Sequence, residues 1–255
     1  MAQSPLEPAA RRCDDSGPPF GAVAFDCDST LSHIEGIDEL AGPLKPRIAE
    51  LTARAMSGQL ALEAVYGERL ALLAPSRAAI AALGEQYVAT ALPHAAELVN
   101  ALRESGKRVC IVSGGIRQAV LVFARKLGIP DEDVFAVDVF HTRAGAYAGF
   151  DEDSPLTRSG GKLGVLRQIA RDDHRGGAAF VGDGVTDLEA APAVRRFVAF
   201  GGVVKRAEVF ARAVITCERS DLAALVPHLF ATDEIERLAR VPRHAPLVAA
   251  ALKAR

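Results

Sequence analysis

Residues 22–32 read AVAFDCDSTLS: an uncharged apolar run passes straight into Asp26 and Asp28, which one cysteine separates and Ser29 and Thr30 follow. A short apolar segment closed by acids is the pattern of a buried parallel strand with polar chemistry at its carboxyl end. Positions i and i+2 of a strand share a side, so two carboxylates would point together if the chain stays extended through residue 28, and Cys27 would face the packing. Turn residues, metal ligands and a nucleophile all remain open readings at this point. The rest of the chain has to choose.

Working outward, apolar residues three and four apart predict helices over residues 31–56 and 60–73, with breaks at Gly42-Pro43 and Pro75. After Pro93 the pattern alternates. HAAELVNALRESG (94–106) reads as a helix, KRVCIVSGG (107–115) as a strand and IRQAVLVFARKLG (116–128) as a helix. DVFAVDVFHTRAGAYAGF (133–150) reads as a hairpin turning near Ala144-Gly145, and KLGVLRQIA (162–170) as a helix. AAFVGDG (178–184), RFVAFGG (196–202) and RAVITC (212–217) read as three further strands. Strands alternating with helices predict an α/β fold with a doubly wound, mostly parallel sheet. Residues 1–19 carry four prolines and little periodicity, which predicts a disordered tail, and residues 232–255 read as a C-terminal helical extension.

Bulk composition narrows the function. The 255 residues are 49% hydrophobic and 24% charged, with a net charge of -2, so no basic footprint for nucleic acid exists. No apolar run approaches a membrane span, and the N-terminus lacks a signal-peptide core. The four cysteines lie far apart, which predicts reduced thiols in a cytoplasmic protein, as monomer or homodimer. Only 6 lysines accompany 24 arginines, so a lysine beside polar punctuation draws notice.

Four apolar runs stop at such punctuation: Asp26-Cys27-Asp28-Ser29-Thr30, Ser113-Gly114-Gly115, Gly161-Lys162, and GDGVTD at 182–187. Each alone is an ordinary turn. None completes an EF-hand, a P-loop or a GxGxxG motif, since Leu31, Leu163 and Asp187 hold the deciding positions. Ligands of open parallel sheets bind beyond the carboxyl ends of the strands, so if the strands are parallel neighbours three of the sets converge on one edge, with Lys162 opening a helix beside it. Asp26, Asp28, Asp183 and Asp187 would repel one another without a divalent cation, and hard oxygen ligands suit Mg²⁺. Metal, lysine and hydroxyl or N–H donors together make a socket for a phosphoryl group. One aspartate can then attack phosphorus, and a second, two residues on, can handle the proton.

In that order, DCDST, SGG, a lysine and GDGVTD resemble the haloacid dehalogenase superfamily. EGIDELA (35–41), RAMSGQLALEAVYGERLALLAPSR (54–77), SGGIRQAV (113–120), YAGFDE (147–152) with SGGK (159–162), and GDGVTDLEA (182–190) are similar to its phosphoserine-cleaving branch, over residues 21–230. The resemblance implies a core of residues 20–30 and 93–231 with a small helical cap, residues 31–92, inserted after the first strand. It implies Mg²⁺-dependent hydrolysis of O-phosphoserine to serine and phosphate through an aspartyl-phosphate, in serine biosynthesis. Asp26 would be the nucleophile and Asp28 the general acid and base. Mg²⁺ would be held by Asp26, the Asp28 carbonyl and Asp183, with Asp187 behind. Ser113, Gly114 and Lys162 would grip the phosphoryl group, Glu35 and Arg69 would read the amino acid, and Met56, Ser57, Gly115 and Thr186 would line the substrate. Leu62, Val137, Ile116 and Thr186 depart from residues usual in that branch, which bears on substrate preference. Another small phosphate ester, phosphoryl transfer to a second hydroxyl, a phospho-receiver or a dehalogenase are the competing readings.

Overall fold

The computed structural model describes residues 18–56, 62–173 and 176–253. Ser57 and most of the expected tail lie outside them, and so do the side chains of Met56 and Leu62. In chain order the elements begin with β1 (Ala22–Phe25), α1 (Gly36–Glu39), α2 (Lys45–Met56), α3 (Leu62–Leu73), α4 (Arg77–Ala89) and α5 (Ala95–Glu104). Then come β2 (Arg108–Ile116), α6 (Arg117–Leu127), β3 (Val134–Val137), β4 (Val139–His141), β5 (Tyr147–Phe150) and α7 (Gly161–Asp172). The chain continues through β6 (Ala178–Gly182), α8 (Val185–Ala190), β7 (Arg196–Phe200), α9 (Ala207–Arg212) and β8 (Ile215–Cys217). It closes with α10 (Val226–Leu229), α11 (Thr232–Ala239) and α12 (Ala245–Lys253).

Six strands form one parallel sheet in the order β3-β2-β1-β6-β7-β8. Every residue of β1 and β6 is buried, which is why their sequences are unbroken apolar runs rather than alternating ones. Burying a side chain such as Phe25 or Phe180 contributes about 1.5–3 kcal/mol. From β1 the chain winds outward to β2 and β3, then crosses back to β6 and winds the other way. Right-handed crossovers therefore set the two groups of helices on opposite faces. The order reverses between β1 and β6, so the crevice of this doubly wound sheet opens there.

Between β1 and α5 the chain makes a helical insertion. The stem is the antiparallel bridge of Ser32 with Ala91, beside the Leu92 N–H donating to the Leu31 carbonyl at 2.9 Å. The expected break at Gly42-Pro43 is present as a 3₁₀ turn at Gly42–Leu44 before α2, but the expected helical start at residue 31 is corrected: residues 27–34 turn, and α1 is one turn long. Pro43, which lacks an N–H donor, sits at the start of that short turn, where the donor is not needed. Ser76 caps α4 by accepting from the Ala79 N–H at 3.2 Å, and α4 packs along α6 of the core.

The β4–β5 hairpin turns at Gly145 as expected and leans on the α3–α4 junction. There the Arg77 N–H donates to the Gly145 carbonyl at 2.9 Å and His141 Nε2 donates to the Pro75 carbonyl at 3.2 Å. At the opposite end of the sheet, α11 and α12 dock on the core through Leu238, Leu247, Val248 and Ala251, all buried. Glu234 of α11 takes the buried Lys107 Nζ at 2.6 Å.

Candidate active site

The ends of β1, β2 and β6 and the start of α7 bring the four polar stops together. The β1 ladder runs one residue beyond the strand, with the Asp26 N–H donating to the Val181 carbonyl at 2.9 Å. The chain then turns at once, the Leu31 and Ser32 N–H groups both donating to the Cys27 carbonyl, with Ser29 at φ +50°. Asp28 therefore stands beside Asp26 because of this turn, not through strand alternation. Cys27 is fully buried, as expected.

Asp26 Oδ1 accepts from the Cys27 N–H at 2.8 Å and lies 2.9 Å from Lys162 Nζ. Asp28 Oδ1 accepts from the Gly36 N–H at 2.9 Å and the Tyr87 hydroxyl at 2.6 Å. Glycine at 36 is what lets the phenol reach it, because a Cβ there would fall 1.9 Å from Tyr87 Oη. Burial, with the charges of Glu35 and Asp26 behind it, pushes the Asp28 carboxyl up to about 7 against the pull of these two donors.

Lys162, buried in the first turn of α7, reaches Asp26 and also Asp187 Oδ1 at 2.6 Å. Burial works against its charge, but Asp187 and Asp26 outweigh that and raise its pKa, so it stays cationic. Asp187 turns its other oxygen to the Gly184 N–H at 2.8 Å, closing the first turn of α8. This fold-back lies across Gly182, where a Cβ would sit 2.4 Å from Asp187 Cγ. Asp183 accepts from Thr30 Oγ1 at 3.3 Å and from Arg206 Nε at 2.9 Å.

Carboxylate oxygens of Asp26, Asp183 and Asp187 all lie within 4.8 Å of one another, and all three residues are buried. Burial and then mutual repulsion raise the Asp183 carboxyl well above its ordinary value, and burial with Asp26 pushes Asp187 up to about 6. Negative charge thus exceeds what Lys162 and Arg206 neutralise. A set of hard oxygen donors short of positive charge fits a divalent cation such as Mg²⁺. The Asp28 carboxylate stands outside this cluster among the described residues.

One cavity of about 130 Å³ opens on this edge, with Asp26, Asp28, Glu35 and Arg69 in its wall together with Gly114, Lys162, Asp183 and Thr186. Ser113 lies buried behind it and accepts from the Gly115 N–H at 3.0 Å. Pairing of β2 with β3 skips from Val112 to Ile116, so Ser113-Gly114-Gly115 bulges out of the ladder toward the site. Gly115 lies against Asp28, since a Cβ there would be 3.3 Å from Asp28 Oδ2. Glu35 accepts from Ser29 Oγ at 2.7 Å and from Arg206 at 3.1 Å. Arg69 donates to Asp38 Oδ1 at 2.5 Å.

Tyr66 and Arg158 also line the cavity, and the sequence pattern had singled out neither of them, nor Arg206 or Tyr87. Arg206 had a signal, since it follows the carboxyl end of β7 as the other polar stops follow theirs. Tyr87 had none: it lies 59 residues from Asp28 on an ordinary-looking helix.

Residues 23–192 match the model of the haloacid dehalogenase-like hydrolases. The chain is 42% identical over 190 residues to the phosphoserine phosphatase of Homo sapiens, covering 74% of this chain and 84% of that protein. It is 40% identical over 197 residues to the chloroplastic phosphoserine phosphatase of Arabidopsis thaliana, covering 75% and 66%. A solved structure described as a phospho-aspartyl intermediate analogue of phosphoserine phosphatase superposes with a TM-score of 0.70 at 26% identity, covering 83% of this chain and 100% of that one. With its parallel sheet, its paired aspartates after β1 and these relatives, the chain belongs to the haloacid dehalogenase-like hydrolase family.

Proposed function

We propose that this chain hydrolyses O-phosphoserine to serine and phosphate, with Mg²⁺, in serine biosynthesis. The observation that supports it most is the pairing of Asp26 and Asp28 at the end of β1, inside one cavity with Lys162, in a chain 42% identical to a phosphoserine phosphatase. Asp26, oriented through Oδ1 by the Cys27 N–H and Lys162, is the carboxylate that attacks phosphorus. As that bond forms, the ester P–O bond breaks and Asp28 gives its proton to the departing serine oxygen. Its pKa, raised to about 7, leaves a large share of it protonated for this step near neutral pH. Asp28 then takes a proton from water, the water oxygen attacks phosphorus, and Asp26 returns as a carboxylate.

Lys162, Ser113 and the Gly114 N–H hold the phosphoryl oxygens. Asp26 and Asp183, with Asp187 behind them, would hold Mg²⁺, which would supply positive charge against the phosphoryl oxygens. Glu35 receives the substrate ammonium and Arg69 its carboxylate. Residues 31–92 serve as a cap that keeps bulk water out while the ester is intact. Cys27, Cys110 and Cys217, all free and buried, support a cytoplasmic setting. No described helix is long and apolar enough to cross a membrane.

Phosphate release from L-phosphoserine, with and without Mg²⁺, tests the proposal for the native chain, Asp26→Asn, Arg69→Ala and Glu35→Gln. Turnover should need the metal and Asp26, and the cap variants should lose phosphoserine but keep p-nitrophenyl phosphate. A native chain that cleaves the aryl ester and ignores phosphoserine would sink the substrate assignment.

A further inference from the structure

We propose that the Tyr66 hydroxyl is a second donor to the substrate carboxylate, which makes Tyr66 a specificity residue of this site; the inference rests on the substrate class proposed above. Tyr66 and Arg69 lie three residues apart on α3, so they share a face, and both belong to the cavity wall. Each carries a buried polar atom, Tyr66 Oη and Arg69 Nε, that meets no hydrogen-bond partner among the described residues. Tyr66 is only 4% exposed. Its ring is fixed by packing on Phe150, with centroids 5.4 Å apart, so the hydroxyl is not free to swing out to water.

A buried donor left without an acceptor is costly, and two such atoms, on residues three apart on one helix that both line one cavity, point to a ligand that satisfies both. Arg Nε can only donate. Burial holds the phenol pKa far above its ordinary value, so the hydroxyl keeps its proton and can donate as well. The group that answers two donors is an acceptor, and where one donor belongs to the cationic Arg69 guanidinium an anion answers best. The phosphoryl end of the cavity is already defined by Asp26, Lys162 and Asp183, and the ammonium end by Glu35. The remaining anion on an amino-acid phosphate ester is its carboxylate. Arg69 is tied to Asp38 through Nη2, which leaves its Nε and the Tyr66 hydroxyl as the unanswered donors.

The test compares the native chain with Tyr66→Phe, which keeps the ring against Phe150 and removes only the hydroxyl. KM and kcat are measured on L-phosphoserine and on O-phosphoethanolamine, which has the same ester and ammonium but no carboxylate. A second pair, phosphoglycolate and ethyl phosphate, differs by a carboxylate without any ammonium. Loss of one charge-assisted hydrogen bond should raise KM for phosphoserine about tenfold, leave kcat within about twofold and leave KM for phosphoethanolamine unchanged. An equal rise for both esters would make Tyr66 a wall of the cavity only and overturn the proposal, and so would no rise for either. If phosphoserine is ignored but phosphoglycolate still shows a rise that ethyl phosphate does not, the serine assignment fails and the role of Tyr66 stands. If neither pair shows a carboxylate-dependent rise, Tyr66 has no such role.

Discussion

Asp28 is held on one oxygen by a backbone N–H and a phenol and is surrounded by other carboxylates, so its proton is kept close to neutral pH and its orientation is fixed. Asp28→Asn should cost about 10²–10⁴-fold in turnover of phosphoserine, whose alkoxide must be protonated to leave. On p-nitrophenyl phosphate, whose phenolate leaves unaided, the loss should be much smaller. Equal losses on the two esters would deny Asp28 the role of acid. Gly36→Ala places a methyl group where the Tyr87 hydroxyl sits, so the ring or the turn must withdraw. Urea unfolding should show about 1–3 kcal/mol lost, with kcat reduced on phosphoserine. An unchanged midpoint would mean that Tyr87 moves aside freely.

Among the elements, the carboxyl ends of the strands carry the chemistry and the opposite end carries the fastening. Lys107, just before β2, is buried with its ammonium on Glu234 of α11 and on the Phe20 carbonyl at 3.1 Å. Glu234→Gln leaves that ammonium buried without its counter-charge, so equilibrium unfolding should show about 3–5 kcal/mol lost. Because this pair sits far from Asp26, KM and kcat at permissive temperature should not move. A change in KM would show that the extension is coupled to the site. The two terminal helices thus have a structural account. The sequence marked them as helical and nothing more, since a lysine and a glutamate 127 residues apart announce no pairing.

For the whole molecule, the crowded carboxylates set how stability follows pH. Asp28 and Asp187 titrate near about 7 and about 6 when folded, with Asp183 raised as well, whereas unfolded carboxylates titrate near about 4. Over that window the folded chain binds more protons than the unfolded one, so stability is greatest at the acidic side and falls as pH rises. The lowered carboxyls of Glu104 and Asp131 act the opposite way, but they are exposed, screened and already ionised above pH about 5. In EDTA, Tm should fall between pH 5 and 7.5, and excess Mg²⁺ should remove most of that fall. A Tm that climbs with pH in EDTA would contradict this charge balance.

At the same scale, the sheet, its parallel sense and all four polar stops were legible, because burial on both faces writes apolar runs and chemistry interrupts them. Asp26, Ser113, Lys162 and Asp183 could be found for that reason. Tyr66 and Tyr87 could not be placed, because a single tyrosine on a helix looks the same whether it faces solvent, core or substrate. The turn that sets Asp28 beside Asp26 was also hidden, since DCDST reads equally well as extended or bent.

The insertion itself is divided. Its last helix, α4, lies along α6 and holds Tyr87 on Asp28, while Tyr66 and Arg69 belong to α3, across the bend at Ala74-Pro75. On the proposed roles, bond breaking and reading of the substrate carboxylate are thus inherited on separate segments. A descendant can change its preference for that carboxylate by rewriting one helix of 12 residues, while the parts that cut the ester pass down unaltered.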